Sequence, residues 1–416
     1  MSTETVTIQA VGAEGDGIAR GPEGAIFVPF TLPGEEVAIA RVKNHGMPMS
    51  WAKTSPERVT PLCKHFGPEG KGGACGGCSL QHWADRPYQD YKRQLLIDAL
   101  TAKGIETDVA PLFPCLPGER RRVTMTARLT DKGVVLGFAQ AGTHQIVQVE
   151  ECPISTPTIV ARLEGVRKII GALGSGAEPF RVAIGATLSG LDLNILDMKK
   201  VDAKKRQAAL DIILKEKGFA RVSIDGEILV EPLKPMLDFA GISVVLPPGS
   251  FTQATVRAED VMADLVTGHL GKSKRVADLF AGTGTFALRL ARKSAVHAVE
   301  FDAPALAALD HAARNAQGLK PISVERRDLF RRPLLPLDLK YIDGLSFDPP
   351  RAGAEAQCHE LARSKVAKIA AISCNPVTLA RDLRILIDGG YKLKSVTPID
   401  QFLWSSHVEA VALLER

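Results

Sequence analysis

The stretch Ile369-Ala-Ala-Ile-Ser-Cys-Asn-Pro376 passes from apolar residues to polar ones and then to a helix start. Its apolar residues predict a short buried strand, and the residues from Val377 to Ile387 predict a helix. Asn375 is a favoured helix cap, and Pro376 suits the first helical position. Cys374 therefore lies between strand and helix, where the positive end of the helix dipole favours the thiolate, the nucleophilic form of cysteine.

Two other stretches place polar residues after buried strands. One is Ser346-Phe-Asp-Pro-Pro-Arg351. The other is Arg275-Val-Ala-Asp-Leu-Phe280, which leads into Ala281-Gly-Thr-Gly-Thr285 and a predicted helix from Phe286 to Arg292. In open α/β sheets, ligands bind at the carboxyl ends of the strands, where all of these stretches fall. A lone cysteine after a strand is ordinarily a small core residue, but these neighbours favour a catalytic site in an α/β domain.

The glycine turn around Gly282 and the acid that follows it indicate a nucleotide-type cofactor. Such a turn lets the backbone approach a ligand closely, and Glu300 ends the predicted strand Val296–Val299 eighteen residues later. An acidic residue in that position can bind two ribose hydroxyls. Because Ala287 stands where a dinucleotide site has its third glycine, the pattern favours S-adenosylmethionine over the alternative, a Rossmann dehydrogenase.

Further acids lie at the ends of predicted strands. Asp328 lies where an adenine amino group would need an acceptor, although it fits an exposed loop acid equally well. Asp348 and Arg351 flank two prolines, which stiffen the loop and fix the directions of both side chains. Glu409 shares one face of the last predicted strand, His407–Leu414, with apolar residues. Burial there would raise its carboxyl pKa toward the range of a general base, whereas Glu409 taken alone fits a surface charge.

Length and composition limit the class of protein. A chain of 416 residues predicts two or three domains, and an apolar fraction of 45% favours folded domains over disorder. The net charge of +5 fits a nucleic-acid partner without requiring one. No run of 18 apolar residues and no basic-then-apolar start occurs, so we expect a cytoplasmic protein with no membrane association. Seven cysteines in that compartment indicate ligands or chemistry rather than disulfides.

The first region, residues 1–56, alternates apolar and polar residues between glycine-rich turns, which predicts a small β-barrel. Its succession of G-x-G-I-A-R, A-I-F-V-P-F and L-P-G-E resembles the TRAM domain, a small RNA-binding barrel. By composition alone, an SH3-like or OB-like barrel fits as well.

The second region, residues 57–246, predicts an α+β domain that carries a metal site. The candidate metal ligands are Cys63, Cys75, Cys78 and Cys152. The first three lie in one glycine-rich loop with eleven and two residues between them, and the fourth lies far downstream before a proline. Four thiolates suit an iron–sulfur cluster, and tetrahedral zinc is chemically as feasible. His65 or His82 is the alternative fourth ligand, and we interpret Cys115 and Cys358 as buried thiols.

Helices are expected in this second region at Asp85–Lys103, Thr158–Leu173 and Ala203–Lys217. Two basic clusters, Arg120–Arg122 and Lys199–Arg206, fit either solvated faces or contacts with RNA phosphates. The third region, residues 247–416, contains the glycine turn and all of the strand-end acids.

Five motifs, in this order, resemble the RNA (uracil-5)-methyltransferase family: Gln253, D-L-F-A-G-T-G, S-F-D-P-P-R-A-G, S-C-N-P-V-T-L-A-R-D and H-V-E-A-V. The TRAM-like start and the four cysteines are most similar to the 23S rRNA branch, so the resemblance covers nearly the whole chain. It implies an α/β fold: a Rossmann-like class I methyltransferase domain, preceded by a small β-barrel and an α+β central domain with a metal cluster. It also implies an RNA partner, S-adenosyl-L-methionine as methyl donor and a 4Fe–4S cluster on the four cysteines.

By the same resemblance, Cys374 is the nucleophile and Glu409 the base. Gln253 and Asp348 match positions at the methyl-donor and uracil end of the site. Positions around the cofactor are matched by Phe280, Gly282, Thr285, Glu300 and Asp328. The chain departs from the family in its longer first cysteine interval and in Thr285, where Asn is common.

The chemistry agrees with this interpretation. Uracil C5 is too poor a nucleophile to attack a sulfonium methyl unaided, but thiolate addition at C6 makes C5 electron-rich, and a base then removes the C5 proton. The uridine must be flipped or single-stranded to reach the thiol. We expect a monomer that acts on 23S rRNA, with tRNA as the alternative RNA. The residues also fit, less well, a cytosine-5 methyltransferase or a non-catalytic iron–sulfur RNA-binding redox sensor.

Overall fold

The computed structural model describes residues 2–22, 24–174, 176–198 and 201–416. Lys199 and Lys200, which begin the second predicted basic cluster, lie outside the described residues.

A closed barrel forms the first region. Its strands are β1 (Ser2–Val11), β2 (Gly17–Gly21), β3 (Gly24–Val28), β4 (Glu36–Val42) and β5 (His45–Lys53). They close in the order β1-β2-β3-β5-β4, which confirms the predicted small β-barrel. Alternate residues such as Ile8 and Ile39 fill its core, as the two-residue period of a strand requires. The buried Glu35 carboxylate accepts a bond from Arg58 Nε at 2.6 Å and so fastens the barrel to the segment that follows.

The second region is built on a seven-stranded sheet with helices packed against it. Its elements are α1 (Asp85–Thr101), β6 (Arg122–Thr130), β7 (Gly133–Ala139), β8 (Ile146–Gln148), α2 (Pro157–Val160), α3 (Leu163–Leu173), β9 (Phe180–Thr187), β10 (Gly190–Leu196), α4 (Ala203–Lys215), β11 (Phe219–Ile224), β12 (Glu227–Val230), β13 (Met236–Asp238) and β14 (Ser243–Val245). The sheet order is β12-β11-β10-β9-β6-β7-β8, and β13 pairs separately with β14. The helix predicted over Thr158–Leu173 is interrupted, because Arg162 leaves the helical conformation at φ −110° and ψ 3°.

The third region is built on a second seven-stranded sheet. Its elements are α5 (Val256–Leu270), β15 (Arg275–Leu279), α6 (Ala287–Leu290), β16 (Ala295–Glu300), α7 (Ala303–Asn315), β17 (Ile322–Arg326), β18 (Gly344–Phe347), α8 (Glu355–Ala362), β19 (Lys368–Ser373), α9 (Pro376–Asp388), β20 (Lys392–Ile399) and β21 (Glu409–Glu415). The sheet order is β17-β16-β15-β18-β19-β21-β20. Strands β15 to β19 run parallel, and β21 enters antiparallel between β19 and β20.

Two predicted bounds in this third region differ from the structure. The helix after the glycine turn spans only Ala287–Leu290, since the turn itself continues through Phe286. The last strand begins at Glu409 rather than His407, because its backbone pairing with β20 reaches only to Ile399 opposite Glu409. Glu409 is therefore the first residue of β21, at the edge of the sheet where the parallel strands end.

Helix α1 joins the second region to the third. Leu96 and Leu100 share the hydrophobic core of the third region with Leu383. Lys92 lies on the same face and is also fully buried, which the apolar pattern did not indicate. Its ammonium group pairs with Asp400 and donates to the Phe402 carbonyl at 2.9 Å. A helix from one region therefore anchors the loop between β20 and β21.

Among the described residues, no helix is long and apolar enough to cross a membrane.

Candidate active site

Cys374 follows β19 and precedes the cap of α9, as the sequence predicts. The Asn375 side chain accepts a bond from the Val377 amide at 3.0 Å, which caps the helix. The antiparallel pairing of β19 with β21 runs up to Ser373 opposite Ala410. One further step along this register places Cys374 beside Glu409, so the two proposed catalytic residues meet at the end of one strand pair.

The thiol of Cys374 is not activated in the way that the helix dipole predicts. Burial and, to a lesser extent, the nearby carboxyls of Glu409 and Asp348 raise its pKa to about 11, against the opposing effect of Arg351. The prediction of a resting thiolate is therefore wrong for the protein without ligands. Half-burial among carboxyl groups outweighs the partial positive charge of one helix end.

A polar network connects the site acids. Gln253 Nε2 donates to Asp348 Oδ2 at 2.8 Å. Gln401 Nε2 donates to Gln253 Oε1 at 3.0 Å and also to Glu409 Oε2. The sequence motifs did not point to Gln401, although Asp400 and Gln401 come directly after a strand at this same edge. The rule that drew attention to Cys374 and Asp348 would also have found them.

Both acids of this network are buried, which favours their neutral forms. Burial raises the Asp348 pKa to about 7, against a hydrogen bond from Gln253 that lowers it. Burial also raises the Glu409 pKa well above its ordinary value, and Asp348 raises it further. Glu409 Oε1 is buried without a hydrogen-bond partner among the described residues. The site therefore holds two carboxyl groups that a nearby cation would ionise.

The glycine turn lies beside these acids, at the end of β15. Phe280 adopts a left-handed backbone conformation at φ +57°, which is uncommon for a residue with a side chain. Gly282 and Gly284 also have positive φ values, so the chain makes a tight turn at the carboxyl end of β15. Thr285 lies within the turn, and its carbonyl accepts a bond from Arg289 at 3.1 Å.

Glu300 ties the glycine turn to the end of β16. Its Oε2 accepts the Gly282 amide at 2.9 Å, and its Oε1 accepts the amides of Phe301 at 2.7 Å and Asp302 at 2.8 Å. A carboxylate has about four acceptor positions, so three of them already bind backbone. Glu300 therefore fixes the two loops to each other, and its contact with a ribose stays a prediction.

Asp328 lies two residues beyond β17 and caps its own turn. Its Oδ1 accepts the amides of Phe330 at 3.0 Å and Arg331 at 3.3 Å. The Phe330 ring lies 5.5 Å from the Phe280 ring, so this loop reaches the glycine turn. All of the predicted cofactor residues thus lie at the carboxyl ends of the parallel strands. Their contacts with the cofactor stay predictions.

The four candidate metal ligands line one cavity together with apolar side chains such as Phe66 and Phe138. Burial, with a smaller contribution from the other cysteine thiols, raises the pKa of Cys75 to about 11 and that of Cys78 to about 12. Within the part of the chain that the structure describes, however, no three His, Cys, Asp or Glu side chains are arranged to hold a metal ion. The four thiols thus lie around one cavity, and the metal cluster stays a prediction.

The two alternative histidine ligands are less suitable than Cys152. His65 borders the cavity, but its Nδ1 contacts the Lys71 carbonyl at 2.8 Å and its Nε2 the Glu150 amide at 3.1 Å. His82 is buried and stacks near Phe66 at 5.4 Å between ring centroids. Burial lowers the His82 pKa to about 3, and His82 is not among the residues that line the cavity.

The first basic cluster divides into two kinds of arginine. Arg121 is buried and pairs with Glu259, which holds it in the core. Arg120 and Arg122 instead line a cavity beside His407 and Phe402. Burial lowers the Arg122 pKa to about 10, as do Arg120 and Arg121, and Arg122 Nε has no hydrogen-bond partner among the described residues. These two guanidinium groups are therefore available to an anion.

The parallel sheet with one antiparallel strand, the glycine turn and the acid at the end of the next strand define an S-adenosylmethionine-dependent methyltransferase. Residues 196–416 match the tRNA (Uracil-5-)-methyltransferase family, and residues 1–42 match the TRAM domain. The chain belongs to the RNA (uracil-5)-methyltransferase family. The predicted family and enzyme class are thereby confirmed.

Relatives extend over the whole chain. An uncharacterized RNA methyltransferase of Agrobacterium fabrum is 59% identical over 416 residues, which is 100% of both chains. The 23S rRNA (uracil(1939)-C(5))-methyltransferase RlmD of Chromohalobacter salexigens is 30% identical, over 100% of this chain and 90% of its own. The Pyrococcus abyssi tRNA (uracil-54, C5)-methyltransferase, solved with S-adenosyl-L-homocysteine, has a similar fold at a TM-score of 0.76. It is 23% identical, with 99% of this chain and 100% of that chain covered.

Replacing Glu300 with alanine is expected to weaken S-adenosylmethionine binding by about 1.5–3 kcal/mol, the range for a hydrogen bond to a charged group. This corresponds to a dissociation constant about 10- to 150-fold higher. Titration calorimetry with S-adenosylhomocysteine measures it. Glu325→Ala is the control, because Glu325 binds His297 and Arg327 instead. An unchanged dissociation constant in Glu300→Ala would mean that another residue accepts the ribose hydroxyls.

Proposed function

We propose that this protein methylates C5 of a specific uridine in RNA through a covalent adduct between Cys374 and uracil C6. The observation that carries the proposal is the pairing of Cys374 with a buried carboxyl group, Glu409, next to the glycine turn. The RNA proposed is 23S rRNA, since the relative named for 23S rRNA is 30% identical along the whole chain. A tRNA substrate is the second candidate, because the Pyrococcus enzyme with the same fold is named for tRNA.

Cys374 supplies the nucleophile that makes uracil C5 reactive. Its thiol loses a proton, and the sulfur electron pair adds to C6, which places negative charge on C5 and O4. Asp348, with a pKa of about 7, is the neighbouring carboxylate that can take the thiol proton at neutral pH. The electron-rich C5 then takes the methyl group from the sulfonium, which leaves as S-adenosylhomocysteine.

Glu409 completes the reaction. Its carboxylate removes the C5 proton, the C5–C6 double bond re-forms, and the sulfur of Cys374 leaves with its electron pair. Burial raises the Glu409 pKa well above its ordinary value, so a nearby cation would favour its ionised form. The methyl donor is positively charged only until methyl transfer, so its binding would favour ionisation of Glu409 before that step, and the carboxylate formed then is the base for the C5 proton.

The regions before the catalytic sheet are proposed to hold the RNA. In this division, residues 1–56 bind RNA, residues 57–246 carry the cluster and residues 247–416 perform methyl transfer. Arg120 and Arg122 lie beside His407, two residues before Glu409, and fit phosphate oxygens by their planar donor groups. A flipped uridine would thus reach Cys374 while its neighbours stay on the basic cavity.

A 4Fe–4S cluster is proposed on Cys63, Cys75, Cys78 and Cys152. Their convergence on one apolar cavity supports it, since such a cavity suits a cluster with few charged neighbours. A single zinc ion at about 2.3 Å from each sulfur would need sulfurs about 3.8 Å apart. Among the described residues no three such ligands are arranged to hold a metal ion, so the proposal rests on the cavity that the four cysteines share, with zinc as the alternative to be tested. The methyl transfer is polar, so the cluster would serve structure or RNA positioning.

Replacing Cys374 with alanine is expected to abolish methylation while cofactor binding stays nearly unchanged, since the thiol attacks uracil and not the methyl donor. The measurement is transfer of label from S-adenosylmethionine to rRNA and, separately, to tRNA, followed by mapping of 5-methyluridine. Cys358→Ala is the control, because Cys358 is a buried thiol within α8. Substantial turnover by Cys374→Ala would refute the covalent mechanism. Label in tRNA alone would make tRNA, and not 23S rRNA, the proposed substrate.

Replacing Glu409 with glutamine is expected to allow addition and methyl transfer but to block elimination, because glutamine cannot take the C5 proton. A covalent protein–RNA species should accumulate, survive denaturation and depend on both S-adenosylmethionine and Cys374. Mass spectrometry of the adduct should show a methylated uridine on the Cys374 peptide. Turnover at the wild-type rate without adduct would return Glu409 to the role of a strand-end acid.

Protein purified without oxygen is expected to be brown and to contain about four iron atoms and four sulfides per chain, the composition of the cluster. Cys78→Ser should lose the iron, whereas Cys115→Ser should keep it, because Cys115 contacts Thr255 and not the cavity. Stoichiometric zinc without iron would refute the cluster assignment.

A further inference from the structure

Gln401 lies in the loop between β20 and β21 and is almost fully buried, at 2% exposure. Its Oε1 accepts the Ala254 amide at 3.0 Å. A backbone N–H can only donate, so the side-chain atom that faces it must be the oxygen. The orientation of the Gln401 amide, which is otherwise ambiguous, is therefore determined by its partner.

This orientation sets the direction of the whole network. The Gln401 amide nitrogen carries two hydrogens, and they face Gln253 Oε1 and Glu409 Oε2. Gln253, whose oxygen is thereby engaged, turns its own nitrogen toward Asp348. One backbone N–H of Ala254 thus decides which atoms donate and which accept around both acids.

The two oxygens of Glu409 are consequently unlike. Oε2 is held by the Gln401 donor, whereas Oε1 is buried without a partner among the described residues. The Gln401 donor also lowers the Glu409 pKa against the effects of burial and Asp348. Oε1 is therefore the Glu409 oxygen that is available to accept a proton.

The loop that carries Gln401 is also fixed by contacts of Asp400 and Trp404. Asp400 pairs with the buried Lys92, and Tyr88 donates its hydroxyl to Asp400 Oδ2 at 2.8 Å. The Trp404 amide in turn donates to the Tyr88 oxygen at 2.7 Å. With Asp400 anchored on one side and Ala254 on the other, Gln401 has little freedom to turn away from Glu409.

We propose that Gln401 is a positioning residue that holds Glu409 Oε2, so that Oε1 accepts the C5 proton of the Cys374–uridine adduct. The C5–H bond breaks, its electron pair re-forms the C5–C6 double bond, and the C6–S bond breaks with its electrons returning to Cys374. The inference depends on the proposed function, because it concerns the elimination step of that reaction.

The test compares steps within one turnover. In Gln401→Met, which keeps the length but has no donor, methyl transfer in a single turnover should remain near the wild-type rate. Elimination should slow about tenfold or more, as expected for a lost hydrogen bond to a charged group, and the covalent adduct should accumulate. The groups that act on Glu409 are Asp348, Cys374 and Gln401, so the acid limb of the elimination rate should move to higher pH when the Gln401 donor is removed.

Two further variants separate positioning from folding. Gln357→Met is the matched control, because Gln357 is a buried glutamine that bonds the Leu334 amide at 2.8 Å and carbonyl at 3.0 Å. It should lose similar thermal stability without accumulating adduct. Gln401→Glu keeps an acceptor for the Ala254 amide, and burial favours its protonated form, whose O–H can donate to Glu409, so it should accumulate less adduct than Gln401→Met.

The outcomes distinguish this inference from the proposed function. If wild-type protein methylates RNA through Cys374 but neither Gln401 variant accumulates adduct, Gln401 does not position the base. A uniform loss of every step together with cofactor binding would give Gln401 a purely structural role, which also overturns the inference. If Cys374→Ala retains activity, the proposed function itself fails, whatever the Gln401 variants show.

Discussion

The insertion of β21 between β19 and β20 determines the geometry of the candidate site. Backbone hydrogen bonds set the register of this antiparallel strand, and a shift of one residue would turn Glu409 to the other face of the sheet. The register ends with Ser373 opposite Ala410, so the next residues of the two strands, Cys374 and Glu409, come together. A thiol and a carboxyl group that lie 35 positions apart in sequence are thus held by the most rigid part of the fold.

Burial dominates the electrostatics of this site. Asp348 and Glu409 are deprived of water, and the thiol of Cys374 is raised in pKa by the same loss of solvent. Such a site is ill suited to hold several negative charges by itself and well suited to receive a positive one. A sulfonium methyl donor carries that charge, so ionisation of the acids and arrival of the donor would favour each other. The site would then become reactive chiefly when both substrates are present.

The loop from Asp400 to His407 connects this chemistry to the rest of the chain. Asp400 faces Lys92 from the second region, Gln401 faces the acids, and His407 contacts Arg351 near the basic cavity. The buried Lys92–Asp400 pair contributes more to the uniqueness of this loop than to stability, since the desolvation of two charges offsets much of their attraction.

The strand-to-helix units, the glycine turn and Cys374 could be recognised in the sequence because each follows a local rule, whereas Gln253, Phe280 and Thr285 were found only through the resemblance to a family. Apolar runs end in polar residues, helices begin at caps, and ligands bind where parallel strands end. The barrel and the helix α1 were likewise predictable from the alternation of apolar residues and their helical spacing. What local rules could not supply was the environment of each group.

The sequence by itself determined the family, the order of the elements and the candidate nucleophile and base. Only the tertiary structure decided that Cys374 rests as a thiol, that Lys92 is a core residue and that Gln401 joins the two acids. It also divided the basic cluster into the buried Arg121 and the cavity-lining Arg120 and Arg122. The physical reason is that pKa values and hydrogen-bond directions depend on solvent exclusion and on partners far away in the chain, and neither is encoded in local spacing.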